Sequence, residues 1–196
     1  MKDIISFSVE KSKEEESFIS IAEDILQNHV LSINGNIVQL TDIEFYYFSD
    51  SHKDGFTLEE PKKPSGSFRP HRFGIDIALG DKNSYGGILL KGCYTDNQYI
   101  YKSNKVAKTI LNYLQFGDNN IQFIKKEKND AKFFRTIRSN LGNIDKKNYH
   151  TEEFSKRQYR FILNNNAYYK SITENKTQII DCSDLKPKEI KDFRGW

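Results

Sequence analysis

The pattern of apolar and polar residues predicts a helix followed by a β-hairpin in the first quarter of the chain. Within residues 14–29 the apolar residues recur at helical spacing, at Phe18, Ile21, Ala22, Ile25 and Leu26. Three glutamates at the start of this segment favour the N-terminus of a helix. Residues 30–33 and 37–48 are rich in strand formers and flank Asn34-Gly35, a dipeptide typical of tight hairpin turns.

The rest of the chain alternates strand-like segments with turns. We expect a loop at 49–67, strands at 68–79, 85–94 and 159–163, a helix at 103–116, and short strands and turns at 117–150. This order predicts an α+β fold with a curved, mainly antiparallel sheet and peripheral helices. We expect one domain over residues 1–196, with a core of about 14–172 and a polar C-terminal extension at 173–196.

Length, cysteine usage and hydropathy narrow the class of protein. The chain has 196 residues and two cysteines, Cys93 and Cys182, which form no C-x-x-C pair. A zinc site or a disulfide scaffold is therefore not expected. Because no long apolar run is present, we expect neither a signal peptide nor a membrane span, and we expect a cytoplasmic monomer.

Charge is distributed unevenly along the chain. Residues 1–50 carry a net charge of −7, and residues 91–170 carry +9. A basic half is typical of a surface that binds phosphates, although scattered solvated charges would give the same count. The candidate phosphate contacts are Arg69, Arg72, Lys105, Lys108, Arg135 and Arg138.

Glu44 is the first candidate for a catalytic residue. It lies in a strand-like segment and is followed by aromatic residues, and then by His52 and Asp54 in a polar turn. A carboxylate beside aromatic rings is poorly solvated, so its pKa is expected to rise toward neutrality, as a general base requires. The alternative is a glutamate on the solvent side of an edge strand.

A metal site is the weaker interpretation of the same region. His52, Asp54, His71 and Asp76 are all residue types that bind zinc or iron. However, neither H-x-H nor H-E-x-x-H spacing is present, so we expect no metal and no cofactor.

Six short segments, in order, resemble the alkyladenine (methylpurine) DNA glycosylase family, the type without helix-hairpin-helix motifs. The resemblance spans roughly residues 20–170 and rests on motifs that are individually weak. The matching segments are 35–38 (GNIV), 42–46 (DIEFY), 73–77 (FGIDI), 87–91 (GILLK), 138–142 (RSNLG) and 158–163 (QYRFIL).

The resemblance implies a fold, an activity and roles for particular residues. Glu44 would activate water, and Tyr46 and His52 would contact a base flipped out of DNA. Asp76 stands where the family has an asparagine, and Lys91 where it has an arginine. Asp76 is also expected to pair with Lys91 or with His71. The implied activity is excision of an alkylated purine from DNA, as in base excision repair, without metal or cofactor.

One departure from the family affects the expected substrate. The tyrosine-rich hairpin that wedges into DNA is replaced here by residues 67–73 (SFRPHRF). Three functions therefore remain open at the level of sequence: a DNA N-glycosylase, a catalytically silent protein that binds nucleic acid or another partner, and a hydrolase of free nucleosides or nucleotides. If the protein is a DNA N-glycosylase or a hydrolase of free nucleosides or nucleotides, we expect Glu44, Tyr46, His52 and Asp76 to share one pocket, with Lys91 at its edge.

Overall fold

One curled antiparallel sheet forms the body of the protein. The computed structural model describes residues 5–59, 64–128, 131, 133–139, 141 and 151–163, with the side chain of residue 151 excluded. Within these residues, nine strands belong to one sheet with three short α-helices around it. The predicted α+β class is confirmed at this level. The end of the predicted core, from residue 164, and the polar extension at 173–196 lie outside the described residues. No helix in the described ranges combines the length and the apolar character needed to cross a membrane.

The first predicted helix is present and is followed by the predicted hairpin. Helix α1 is Glu14–Glu23, and the chain continues helically through a π-type segment, Asp24–Asn28. Strands β1 (His29–Ile33) and β2 (Asn36–Phe48) then pair in antiparallel register. Asn34 and Gly35 form the turn with φ of 50° and 87°, the left-handed conformation that the Asn-Gly turn requires.

Segment 68–79, which we predicted to be one strand, is a hairpin of two strands. These are β3 (Phe68–His71) and β4 (Gly74–Leu79). Arg72 and Phe73 form the tip, and Gly74 returns the chain with φ of 149°. The prediction of a single strand was wrong because strand-forming residues continue on both sides of a two-residue turn.

The remaining elements complete the sheet and cover part of it. The predicted helix at 103–116 ends at Asn112, four residues early, and the short strand Gln98–Tyr101 was not predicted. In chain order the elements are β5 (Tyr85–Thr95), β6 (Gln98–Tyr101), α2 (Ser103–Asn112), β7 (Ile121–Lys125), β8 (Phe133–Thr136), α3 (Thr151–Ser155) and β9 (Arg160–Leu163).

Strand β2 is the centre of the topology. The strand order is β3-β4-β5-β2-β1-β7, with β6 paired to β5, β9 paired to β2, and β8 paired to β9. With thirteen residues, β2 is long enough to pair with β1 through its first part and with β9 through its middle. Its other side pairs with β5, with a bulge near Asp42. A residue in the middle of β2 is therefore enclosed by strands on both sides.

The two faces of the sheet differ in chemistry. One face is apolar, and Phe18 of α1 stacks there on Phe45 with ring centroids 4.7 Å apart. Since successive strand residues point to opposite faces, the neighbours of Phe45 in β2 point away from this core. The polar β2 side chains on the second face are Asp42, Glu44 and Tyr46. We call this second face the polar face.

Candidate functional site

Glu44 lies at the centre of the polar face and has no solvent exposure. Its Oε1 accepts hydrogen bonds from the backbone N–H and the hydroxyl of Ser139, at 2.9 and 3.1 Å. Lys91 Nζ lies 3.2 Å from the same oxygen, and Arg160 Nε lies 3.8 Å from it. Tyr46 donates its hydroxyl to Oε2 at 2.8 Å. Glu44 is thus a buried carboxylate with cations and donors around it, rather than a glutamate on an exposed edge strand.

The surroundings of Glu44 lower its pKa, which is opposite to the direction that the sequence led us to expect. Burial alone raises the pKa of this carboxyl group. The charges of Lys91 and Arg160, the Ser139 N–H and the Tyr46 hydroxyl favour the ionised form and outweigh burial. The expectation considered the aromatic neighbours in sequence, whereas the cations come from distant segments. Glu44 is therefore held ionised at neutral pH.

A single row of side chains crosses the polar face through Glu44. The register pairs Glu44 with Leu89 on one side and with Arg160 on the other, and the pairing continues to both ends of the sheet. Paired residues of antiparallel strands point to the same face. Every member of the row is less than 10% exposed. From β3 to β8 the row is Arg69, Asp76, Leu89, Glu44, Arg160 and Thr136.

The buried charges of the polar face balance one another. Four cations and four carboxylates, each at most 9% exposed, lie on this face or in the loops against it. Burial of an unpaired charge costs several kcal/mol, so a buried set of this size requires pairing. The observed pairs provide it. They are Arg69–Asp76, Lys91–Glu44, Arg138–Asp54 and Arg160–Asp42.

Asp76 lies in the same row as Glu44 but is separated from it by Leu89. With strands about 4.8 Å apart, the two backbones are about 10 Å from each other. Asp76 Oδ2 accepts a hydrogen bond from Arg69 Nη2 at 3.0 Å. His71 Nε2 lies 2.8 Å from Asp76 Oδ1, in a contact that is not aligned as a hydrogen bond. Of the two expected partners of Asp76, the structure therefore shows His71, and it adds Arg69.

The absence of a side chain at Gly87 makes room for the Arg69–Asp76 pair. A Cβ at this position would lie 2.6 Å from Asp76 Oδ2 and 2.9 Å from Arg69 Nη2. We expect Gly87→Ala to push these two groups apart and to lower the free energy of unfolding by about 1–3 kcal/mol, the usual cost of overpacking. Urea denaturation measures this change. A value within about 0.5 kcal/mol of wild type would show that the pair moves aside without cost.

Arg138 joins the loop after β8 to the loop after β2. It contacts both oxygens of Asp54, with Nη1 to Oδ2 at 2.5 Å and Nη2 to Oδ1 at 3.2 Å, in a bidentate pair. It also donates to the backbone carbonyls of Phe45 and Phe154, each at 3.0 Å. Its guanidinium lies 4.6 Å from the ring centroid of Tyr46. This residue fixes the position of the Tyr46 ring beside Glu44.

His52 lies on the apolar face, so it does not share a site with Glu44. Its Nδ1 donates to the carbonyl of Tyr47 at 2.9 Å, which leaves Nε2 to accept from the Tyr159 hydroxyl at 2.9 Å. The rings of Phe18 and Phe154 pack edge-on against it. The predicted pocket of four residues is thus divided: Glu44 and Tyr46 meet with Lys91, Asp76 lies two strands away, and His52 is part of the core.

The burial of His52 predicts a loss of stability in mildly acidic solution. Burial lowers its pKa, against the smaller opposing effects of the Tyr47 carbonyl, Asp54 and Glu14. The unfolded chain, with a histidine pKa of about 6.5, then binds a proton at a pH where the native protein does not. We expect the unfolding free energy to fall as pH is lowered through this range, measured by urea denaturation at several pH values. His52→Gln should flatten the dependence between pH 7 and 6, and an unchanged slope would contradict the assignment.

The six predicted phosphate contacts fall into two groups. Arg69 and Arg138 are buried in the ion pairs described above, and Arg135 is half-buried against Glu15. The other three side chains are exposed, with Arg72 at the β3–β4 tip and the two lysines on α2. They are Arg72, Lys105 and Lys108.

The described residues do not bring together the four side chains of the metal hypothesis. No group of three or more metal-ligating side chains occurs within the described ranges.

A groove of about 830 Å³ opens on the apolar side of the sheet, between the N-terminal segment, Tyr47, Phe68 and Phe123. The groove does not reach the polar face.

Sequence reasoning missed several groups that surround Glu44. Asp42, Ser139 and Arg160 are separated from one another by as many as 118 positions. They meet because β9 pairs with β2, and because β8, which precedes Ser139, pairs with β9. One signal was available: a charged residue at every second position of a strand-forming segment, as in Asp42 and Glu44, marks a single face. Which cations pair with these two carboxylates depends on the strand pairing, which the local sequence does not determine.

Comparison with known proteins gives no further assignment. No protein-family model matches the chain. No curated protein sequence matches it either.

Proposed function

We propose that the polar face around Glu44 hydrolyses the N-glycosidic bond of a modified purine, with DNA as the carrier of that purine. The observation that supports this most directly is a fully buried glutamate held ionised by Lys91 and Arg160 next to the Tyr46 ring. Cleavage of a glycosidic bond places positive charge on the sugar in the transition state. A carboxylate that stays ionised stabilises that charge without having to lose a proton first.

The hydrogen bonding of Glu44 is compatible with positioning a water. Among the described residues, Oε2 accepts a single hydrogen bond, from Tyr46, and a carboxylate oxygen has a second acceptor site. Burial and Glu44 itself raise the pKa of Tyr46, so its hydroxyl stays protonated as a donor. Glu44 would therefore orient the water that attacks the sugar and receive its proton late, as positive charge is neutralised.

Tyr46 is suited to contact the purine. Tyr46 is partly exposed as a residue, and Arg138 lies against its ring at 4.6 Å from the centroid. A planar base that stacks on the other side of the ring would bring its sugar toward Glu44, two residues along the same strand and on the same face. Asp76 and His71, at the far side of Leu89, would then contact an edge of the base. The methylpurine-glycosylase-like fold and these residue roles are part of the same proposal.

A second candidate is a hydrolase of free nucleosides. The observation in its favour is the tip of the β3–β4 hairpin, which has only two residues, Arg72 and Phe73, where the glycosylase family has a tyrosine-rich hairpin. An enzyme without a wedge works most readily on bases that are already unpaired.

The test is a panel of substrates incubated with the full-length protein. Oligonucleotides that contain 7-methylguanine, ethenoadenine or hypoxanthine, single-stranded and duplex, are compared with the free nucleosides, and released base is separated and quantified. Release from an oligonucleotide supports the first candidate, and release only from nucleosides supports the second. If no base is released from any of them, the protein is a silent binding protein with a structural ion-pair network.

A further inference from the structure

The β3–β4 tip and the start of α2 form one exposed surface with aromatic rings and cations. Gly74, just after the tip, lies so close to α2 that an added Cβ would be 3.0 Å from Ser103 Cβ. Arg72 and Phe73 therefore stand beside the first turn of α2. We call the surface formed by Arg72, Phe73, Tyr101, Lys102, Lys105 and Lys108 the tip surface.

The charge of the tip surface has one sign. Residues 67–75 and 98–117 contain no aspartate and no glutamate. Its four cations, Arg72, Lys102, Lys105 and Lys108, are all exposed, and none has an ion-pair partner in the part of the chain that the structure describes. In contrast, the four cations of the polar face are buried and paired. An uncompensated exposed cluster of this kind fits a polyanion.

Aromatic rings alternate with these cations. Phe73 is 48% exposed, which is unusual for a phenylalanine, and the Arg72 guanidinium lies 4.5 Å from its ring centroid. Lys105 Nζ lies 5.4 Å from the ring centroid of Tyr101. Rings beside cations are the arrangement by which proteins hold unpaired bases and their phosphates together.

The backbone at the junction of β6 and α2 is strained. Lys102 adopts φ of 76°, in the left-handed region that a lysine rarely occupies. Such a conformation costs about 1–3 kcal/mol and persists where the surrounding structure imposes it. Lys102 itself is exposed and lies between Tyr101 and the first residue of α2.

We propose that the tip surface binds single-stranded nucleic acid. Bases of a single strand are free to stack on Phe73 and Tyr101 while the four cations contact the phosphates, whereas an intact duplex offers no unstacked base. The inference concerns binding, and it stands whether or not Glu44 is catalytic.

The test is the affinity for a fluorescein-labelled oligothymidylate of about 16 nucleotides, measured by anisotropy at several salt concentrations beside a duplex of equal length. We expect tighter binding of the single strand. Phe73→Ala should weaken it by about 5- to 150-fold, the range for loss of one stacked base. Lys105→Ala with Lys108→Ala should lower the salt slope by about 1.4, since each contact to a single strand contributes about 0.7.

Matched controls separate these effects from general changes. Phe116→Ala removes another exposed phenylalanine, after the end of α2, and Lys11→Ala with Lys53→Ala removes two exposed lysines elsewhere. Both controls should bind like wild type. The proposal is overturned if the oligothymidylate does not bind, if the duplex binds as tightly, or if Phe73→Ala behaves like Phe116→Ala.

Discussion

Glu44→Gln is expected to slow base release by about a hundred- to ten-thousand-fold, the usual contribution of a positioned catalytic carboxylate. The amide keeps the shape of the side chain but carries no negative charge to stabilise the sugar cation or to accept a proton from water. The measurement is single-turnover release from whichever substrate the panel identifies. A variant that retains full activity would contradict a catalytic role for Glu44, and Asp76 would be the next carboxylate to replace.

The same substitution is expected to lower stability. For an unpaired buried carboxylate the change to an amide would have little effect on stability or would even increase it. The structure shows Glu44 paired with Lys91 and Arg160, so the amide leaves these cations less compensated. Loss of a hydrogen-bonded charge of this kind costs about 1–3 kcal/mol.

A destabilised control is needed for the activity measurement. Leu31→Ala, at a fully buried position in β1, should cost about 2–5 kcal/mol without touching the polar face. At a temperature below both thermal transitions, Leu31→Ala should stay active while Glu44→Gln does not. Equal loss of activity in the two variants would assign the effect of Glu44→Gln to stability.

Arg138→Met is expected to lower the free energy of unfolding by about 3–5 kcal/mol, the cost of removing one partner of a buried ion pair. Asp54, which has no solvent exposure, would keep its charge without its bidentate partner. The carbonyls of Phe45 and Phe154 would each lose a donor. Urea denaturation gives the value directly.

The comparison for Arg138→Met is an arginine in an exposed pair. Arg157, which pairs with Glu153 on the surface, should tolerate the same substitution within about 0.5 kcal/mol. Adding Asp54→Asn to Arg138→Met should recover part of the loss, since it removes the unpaired charge. An Arg138→Met protein as stable as Arg157→Met would show that the pair contributes nothing.

The elements were largely predictable from local pattern, and the site was predictable only in part. The Asn34-Gly35 turn and the apolar stripe of α1 are local signals, and both elements form where they were predicted. The β3–β4 turn was missed because neither Arg72 nor Phe73 is a residue typical of turns. Only Gly74, which follows them, indicates a turn. Within the site, Glu44 and Tyr46 are two residues apart on one strand, so their shared face followed from strand geometry alone.

The partners of Glu44 could not be predicted because they depend on which strands pair. Arg160 reaches Glu44 across the β2–β9 pairing, and Ser139 comes from the loop after β8. These distant groups lower the pKa of Glu44, whereas the neighbouring sequence alone led us to expect a raised pKa. His52 shows the opposite case, since its proximity in sequence suggested a shared site. It lies in the loop after β2, and its hydrogen bonds to the Tyr47 carbonyl and the Tyr159 hydroxyl hold it on the apolar face.

The pH dependence of base release tests the central claim most directly, because the claim is that Glu44 acts as an already ionised carboxylate. The measurement is single-turnover release of 7-methylguanine, a base that is already cationic and needs no proton to leave, from about pH 8 down to the ordinary glutamate range near 4.3. With Glu44 ionised by Lys91 and Arg160, the rate of the folded protein should stay level until pH reaches that range. A rate that falls with a midpoint near neutrality, or no release at any pH, would contradict the account.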